Sequence, residues 1–171
     1  REVLKAISSD IESLIEEKVP DNDPGLLSFD RYWNTLNSDA SIVTNTDVKN
    51  VLEKGKILES IVERQFPKAH YKSPAIRIIH ALAIHRLTTG DVAKPVGLTS
   101  ENLRDELCLY LELPEKDSEF LRSTVETILR DISRTVSGQF ISQNEENGQY
   151  YLDLKKDIDY DKKIEERGEA L

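Results

Sequence analysis

The sequence predicts a mainly α-helical fold that closes with one small β-hairpin. Three observations indicate this fold: apolar residues recur every three or four positions, aliphatic and charged residues are plentiful while aromatics are few, and two strand-like runs flank an Asn-Gly dipeptide. The three- and four-residue spacing places apolar side chains on one face of a helix. Asn-Gly is a preferred two-residue turn between antiparallel strands.

Two amphipathic helices are predicted at the start of the chain. The first covers residues 2–18 and ends at the turn-forming stretch "VPDNDPG". The second lies in "LLSFDRYWNTL", where Phe29, Tyr32, Trp33 and Leu36 fall at helical spacing. We interpret Trp33 as a packing anchor, because a large aromatic ring contributes mainly through burial.

Two more helices follow. Thr44 and Asp47 form a capping-box pattern before "VKNVLEKGKILESIVERQF", and Gly55 predicts a break in that helix. The next helix, "AIRIIHALAIHRLTTG", is apolar nearly all the way round and should end at Gly90. A helix without a polar face is expected to lie at the centre of the fold.

The last two predicted helices have clear start signals. Thr99 or Ser100 can cap "ENLRDELCLYL", and Asp117 or Ser118 can start "SEFLRSTVETILRDISRTVS", which should stop at Gly138. The inner face of that final helix is predicted to hold Phe120, Leu121, Thr124, Val125, Ile128, Leu129, Ile132 and Val136.

The stretch "GQFISQNEENGQYYLDLK" predicts the hairpin. If the Asn-Gly dipeptide at 147–148 forms a two-residue turn, Ile141 opposes Leu154 and Gln143 opposes Leu152. Alternation along each strand then decides which side chains face the helices. That inward face is expected to carry Ile141, Tyr150, Leu152 and Leu154.

The order of these elements predicts a helical segment followed by a winged-helix domain. From residue 74 the order is helix, loop, helix, turn, helix and hairpin, and the helix over 117–136 occupies the recognition position. A third short strand is expected near 92–97. The predicted organisation is a lid-like helical segment over 1–70, a winged-helix domain over 74–156 and a charged, helical tail over 157–171.

Composition argues against several classes of function. The chain holds 23 basic and 32 acidic residues, a net charge of −9, and no segment is basic, so strong phosphate binding is not expected. No apolar run approaches the roughly 20 residues that a membrane-spanning helix needs. The one cysteine, Cys108, fits a reducing cytoplasm. The chain contains no methionine, which predicts a piece of a longer protein.

The sequence predicts no catalytic, cofactor-binding or metal-binding residue. The phosphate-binding pattern G-x-x-x-x-G-K-[ST] is absent. The residues that most often bind metals, His70, His80, His85 and Cys108, are scattered. His80 and His85 are five positions apart on one helix and therefore cannot share a face.

The predicted recognition helix leaves two interpretations open. Arg122, Arg130 and Arg134 are spaced for contacts to nucleic acid, but Glu126 lies between two of them at ion-pairing distance. In the first interpretation the three arginines contact DNA phosphates. In the second they belong to an ion-paired face exposed to solvent, of the kind that stabilises helices.

The hairpin tip favours a protein surface over DNA as its partner. Glu145 and Glu146 would point toward the phosphates if the hairpin docked on DNA as wings usually do. At about 6 Å and an effective dielectric constant near 40, one glutamate and one phosphate repel by roughly 1.4 kcal/mol before salt screening. Two such repulsions would cancel the gain from one or two arginines.

Much of the chain resembles an internal region of the large P-loop ATPases of bacterial phage-exclusion systems, the BREX and Pgl type. The resemblance is carried by "SFDRYWNTL", "DVKNVLEKGKILESIVERQF", "SPAIRIIHALAIHRLTTGDVAKPVGLTSENLRDELCLYL" and "FLRSTVETILRDISRTVSGQFISQNEENGQYYLDLKKDIDYD". It implies an AAA-like parent that binds ATP and Mg outside this chain, with residues 30–70 as a lid-like segment. It also implies that Arg77 is either a lid arginine sensing the γ-phosphate or an ordinary exposed arginine.

The function expected from the residues and the resemblance together is a non-catalytic interaction module. Its partners would be other domains of the parent ATPase or protein partners of the defence system. The alternative is a DNA-binding module that docks the helix over 117–136 in a groove of duplex DNA.

Overall fold

A computed structural model of the protein describes most of the chain. The described residues are Ser8, Glu12, 28–38, 44–89, Asp91, 94–107, Leu111 and 117–156. The predicted first helix, apart from two of its residues, and the predicted tail lie outside these ranges, as does Cys108. In the described part of the chain, no helix is both long and apolar enough to cross a membrane.

The described residues form a mainly helical fold with a two-stranded antiparallel hairpin at its end, as predicted. Short 3₁₀ turns, Phe29–Arg31 and Ala69–Tyr71, lead into the helices that follow them. The elements are α1 (Tyr32–Ser38), α2 (Thr46–Gln65), α3 (Lys72–Thr88), α4 (Ser100–Glu106), α5 (Ser118–Thr135), β1 (Ile141–Gln143) and β2 (Tyr150–Leu152).

The start of α2 differs from the prediction by one residue. Asn45, not Thr44, caps the helix, and its side-chain oxygen accepts hydrogen bonds from the backbone N–H groups of Asp47 (2.9 Å) and Val48 (3.3 Å). Asn45 has the extended backbone that a cap requires, with φ −83° and ψ 121°. The predicted capping box of Thr44 and Asp47 is therefore wrong.

Side chains also set the starts of α4 and α5. Thr99 caps α4 in a reciprocal capping box with Asn102, and Asp117 caps α5 by accepting from the N–H of Phe120. Phe120 itself was predicted to face inward but is exposed. At about 100° per residue it lies some 140° around the axis from Val125, which is buried, so the prediction gave Phe120 the wrong phase.

The central helix is α3, as its all-round apolar sequence predicted. It packs against α2 and the first 3₁₀ turn, and also against α5 and β2. One continuous core surrounds it. The largest fully buried side chains of that core are Trp33, Leu58, Ile78, Ile79, Leu103, Leu107, Ile128, Leu129, Ile132 and Leu152.

Helix α2 runs unbroken through Gly55, so the predicted break there is wrong. The glycine instead makes room for Trp33, whose ring is 1% exposed, which confirms its prediction as a packing anchor. A Cβ atom at position 55 would lie 2.3 Å from the Cη2 atom of Trp33. Glycine at this position is therefore explained by close packing of α1 on α2.

Replacing Gly55 with alanine tests this packing. Alanine favours a helix over glycine by about 1 kcal/mol, but overpacking a core costs about 1–3 kcal/mol. We expect Gly55→Ala to lower the free energy of unfolding by up to about 2 kcal/mol in urea denaturation. In a Trp33→Leu background, where the ring is gone, the same change should be neutral or stabilising. Equal stability gains in both backgrounds would contradict the packing argument.

The hairpin forms, but its register is shifted by two residues from the prediction. Ile141 pairs with Leu152 and Gln143 pairs with Tyr150. Because side chains alternate with a period of two, this shift leaves every residue on its predicted face. Ile141, Tyr150 and Leu152 are buried as expected, and the partly buried Leu154 packs against the core.

The shift has its cause in the loop, which holds four residues, 145–148, in place of the predicted two. Asn144 and Gln149 close it through a 2.8 Å bond from the N–H of Asn144 to the carbonyl of Gln149. The side chain of Asn144 accepts from the N–H of Glu146, and Asn147 accepts from the N–H of Gln149. These two asparagine turns stabilise the longer loop.

Among the described residues near the expected third strand, 94–98, the pairing is one bridge at Leu98, just after the predicted range of 92–97. Leu98 and Tyr150 exchange both backbone hydrogen bonds at 2.9 Å. The order from α3 to the hairpin is therefore helix, bridge strand, helix, helix and two strands, which is the winged-helix order. Helix α5 occupies the recognition position.

Candidate interaction surface

Arg122, the first of the three predicted contact arginines, is held by carboxylates on two helices. Its guanidinium lies 2.9 Å from Glu119 and 3.6 Å from Glu126 on α5, and 3.6 Å from Glu101 on α4. The hydrogen bond donated to Glu119 is the main cause that raises the pKa of Arg122. Arg122 therefore lies beside α4 in an ion-paired environment.

Arg130 and Arg134 have different surroundings. The ion-pair partner of Arg130 among the described residues is Glu126 at 4.0 Å, and 58% of the Arg130 side chain is exposed. Arg134 is exposed and forms no ion pair among the described residues. The ladder of Arg122, Glu126 and Arg130 predicted from spacing is present, but it leaves the C-terminal half of α5 positively charged.

One stripe along the N-terminal half of α5 carries no charged side chain, although the exposed Glu119 and the partly exposed Glu126 lie beside it. Phe120, Ser123 and Thr127 follow one another at three- and four-residue steps and so form one stripe along the helix. Phe120 is 38% exposed, and the hydroxyl of Thr127 is bonded to the carbonyl of Ser123 at 2.9 Å. This uncharged stripe, with an aromatic ring at one end, is called the Phe120 stripe below.

A cleft of about 480 Å³ lies between the C-terminal half of α5 and the hairpin. Arg130, Arg134 and Lys156 line it together with one carboxylate, Glu145. The last cation reaches the cleft because the backbone turns back after β2, where the N–H of Phe140 bonds the carbonyl of Lys156 at 3.0 Å. We call this feature the α5–hairpin cleft.

A buried network connects the beginning of the described chain to the winged-helix part. The Arg77 guanidinium donates to Asp30 (2.9 Å), to the hydroxyl of Ser28 (2.8 Å) and to the backbone carbonyl of Leu107 (2.6 Å). Asp30 is 3% exposed. Arg77 is therefore not an ordinary exposed arginine. From α3 it connects the segment at Ser28 and Asp30 with the C-terminal end of α4.

His80, one of the scattered residues considered for metal binding, instead packs beside Trp33. Their rings stack with centroids 4.9 Å apart, and Glu59 lies 3.2 Å from both His80 Nε2 and Trp33 Nε1. Desolvation by burial lowers the pKa of His80, although the neighbouring carboxylate acts in the opposite direction. The burial therefore favours the neutral imidazole. Within the described ranges, no three His, Cys, Asp or Glu side chains are placed to hold a metal ion.

The family model described as the DUF6079 second domain matches residues 1–158 of the chain. The chain belongs to the DUF6079 second-domain family. The match covers all five described helices and both strands of the hairpin. No curated protein and no solved structure is significantly similar to this DUF6079 second domain.

Sequence reasoning missed several residues that organise the DUF6079 second domain. Arg86 is 2% exposed, donates to the backbone carbonyls of Lys94 and Val96, and lies 5.4 Å from the ring of Tyr151. Burial lowers the pKa of Arg86. The partners of Arg77 and the position of Lys156 were missed as well, because those partners are distant in sequence or are backbone atoms, which leave no side-chain pattern.

Proposed function

We propose that this DUF6079 second domain is a non-catalytic winged-helix interaction module of a large phage-defence AAA-like ATPase. It contributes protein contacts, either to other domains of the parent chain or to protein partners in the defence system. The resemblance to BREX and Pgl ATPases supports the parent assignment, and the description "second domain" fits a parent with several domains. The parent would supply the ATP and Mg site and would work in the cytoplasm.

The Phe120 stripe is the observation that carries this proposal. A recognition helix that reads DNA directs its N-terminal residues at base edges. Here that half of α5 presents an exposed phenylalanine and two hydroxyls, with the carboxylates of Glu119 and Glu126 beside them. Arg122 is turned toward Glu101 at the flank of the helix. Aromatic residues are enriched at the centres of protein interfaces, whereas charged residues are depleted there. The stripe therefore suits a protein surface better than a DNA groove.

The proposal is tested by measuring binding between the 171-residue chain and a parent ATPase from which the segment corresponding to residues 1–158 of this chain has been deleted. We expect measurable association by calorimetry, and we expect Phe120→Ala to weaken it at least tenfold, since interface aromatics often carry 2 kcal/mol or more.

The matched control is Ile57→Ala, which removes another exposed apolar side chain, 40% exposed, from α2. This change should leave the affinity within twofold. Equal effects of the two substitutions, or no association at all, would refute the proposal. So would ATP hydrolysis by the 171-residue chain that depends on one of its own residues.

A further inference from the structure

The structure separates three arginines that look equivalent in the sequence. Arg122 has three carboxylates within 3.6 Å and is 29% exposed. Arg130 retains only a 4.0 Å contact to Glu126, and Arg134 has no ion-pair partner among the described residues. Of these three arginines, the two that are able to attract an anion therefore lie in the C-terminal half of α5.

The α5–hairpin cleft adds a third cation and polar donors to these two arginines. Arg130 and Arg134 are one helical turn apart, about 6 Å, and Lys156 lies on the hairpin side of the same cleft. The hydroxyls of Ser133 and Ser142 also line it. With three cations against the single carboxylate of Glu145, the cleft has a local excess of positive charge in a protein whose net charge is −9.

The chemistry of the lining favours phosphodiester groups. A phosphate presents several acceptor oxygens for each charge, and arginine forks and hydroxyls bind such oxygens well. The Phe120 stripe, by contrast, offers no charged side chain to base edges. Contacts limited to phosphates position a nucleic acid without reading its sequence.

We propose that the α5–hairpin cleft binds the phosphate backbone of a nucleic acid without regard to sequence, through Arg130, Arg134 and Lys156. This inference goes beyond the proposed function and depends on different residues. It also differs from the docking of α5 through Arg122, Arg130 and Arg134, because Arg122 takes no part. Glu145 limits the affinity, since it repels the phosphates from the edge of the cleft.

Fluorescence anisotropy with labelled oligonucleotides of random sequence tests the site in the 171-residue chain. One arm uses a 20-base-pair duplex and the other a 20-nucleotide single strand. With three phosphate contacts, duplex affinity should fall by about 40-fold between 50 and 200 mM salt, and single-strand affinity by about 20-fold. Binding of either oligonucleotide with such a loss of affinity between the two salt concentrations supports the proposal. Comparing the two affinities shows whether the cleft prefers duplex or single-stranded nucleic acid.

Single substitutions assign the contacts. Arg134→Gln and Lys156→Gln should each reduce the duplex salt effect to about 12-fold, because one counterion fewer is released. Glu145→Gln should tighten binding at low salt. Arg122→Gln is the matched control, because it removes the same group from the same helix. The fall in duplex affinity between 50 and 200 mM salt should stay at about 40-fold.

Three outcomes would overturn the inference. The first is no binding of either oligonucleotide at 50 mM salt. The second is equal loss of affinity in Arg122→Gln and Arg134→Gln, and the third is competition by polyglutamate as effective as that by the oligonucleotide, which would mean that the cleft takes an acidic peptide. Arg134→Gln should leave binding to the parent ATPase intact, so failure here is distinguishable from failure of the proposed function.

Discussion

Gly97→Ala is expected to separate the hairpin from the connection between α3 and α4, and to lower the free energy of unfolding by about 3 kcal/mol or more. A Cβ atom at position 97 would lie 1.9 Å from the carbonyl oxygen of Tyr150 and 2.5 Å from its carbonyl carbon. Both are backbone atoms, so no side chain can rotate away. Overpacking costs about 1–3 kcal/mol, and the two hydrogen bonds between Leu98 and Tyr150 contribute about 1 kcal/mol each.

Urea denaturation and amide hydrogen exchange measure the two parts of this prediction. The stability should fall, and the N–H groups of Leu98 and Tyr150 should exchange faster than those of α3. Gly148→Ala is the control, because Gly148 has φ +70° but no atom within 4 Å of its added Cβ. Only the left-handed backbone is then strained, at roughly 1–2 kcal/mol. If Gly97→Ala lowers the free energy of unfolding no more than Gly148→Ala does, the close approach of Gly97 to the backbone of Tyr150 is unimportant for stability.

Arg77→Met is expected to lower the free energy of unfolding by about 3 kcal/mol. The substitution leaves Asp30, which is 3% exposed, without its cation. It also removes the donor to the carbonyl of Leu107. Breaking a buried ion pair by removing one partner costs about 3–5 kcal/mol, and the partial exposure of Arg77 places the effect at the lower end.

Two comparisons isolate the buried charge in thermal and urea unfolding. Adding Asp30→Asn to Arg77→Met should recover part of the lost stability, because the unpaired carboxylate is gone. Lys49→Met, which removes the cation of an exposed pair with Glu53 at 3.9 Å, should change stability by less than about 1 kcal/mol. A loss in Lys49→Met as large as that in Arg77→Met would argue against a special role for the buried network.

Local patterns in the sequence were enough to predict the five described helices, the central position of α3 and the faces of the hairpin strands. Each depends on the spacing of apolar residues, which reports directly on burial. The hairpin register was wrong because loop length depends on the side-chain bonds of Asn144 and Asn147, and the Asn-Gly dipeptide does not specify these. A two-residue error survives without consequence for the core because strands alternate.

The candidate surface was only partly predictable. The pairing of Arg122 with Glu126 follows from four-residue spacing, whereas the contact from Arg122 to Glu101 depends on how α4 packs against α5. Likewise, Lys156 meets Arg130 and Arg134 only after the chain has turned back past β2. Such contacts between residues distant in sequence depend on tertiary packing, which leaves no periodic signal in the amino-acid sequence.

The hydrogen bonds of Arg77 couple the positions of two segments that are far apart in the sequence. One side chain, anchored in the rigid rod of α3, holds the turn at Ser28 and the far end of α4 at the same time. A displacement of the turn at Ser28 would therefore bear on the C-terminal end of α4 through this one side chain.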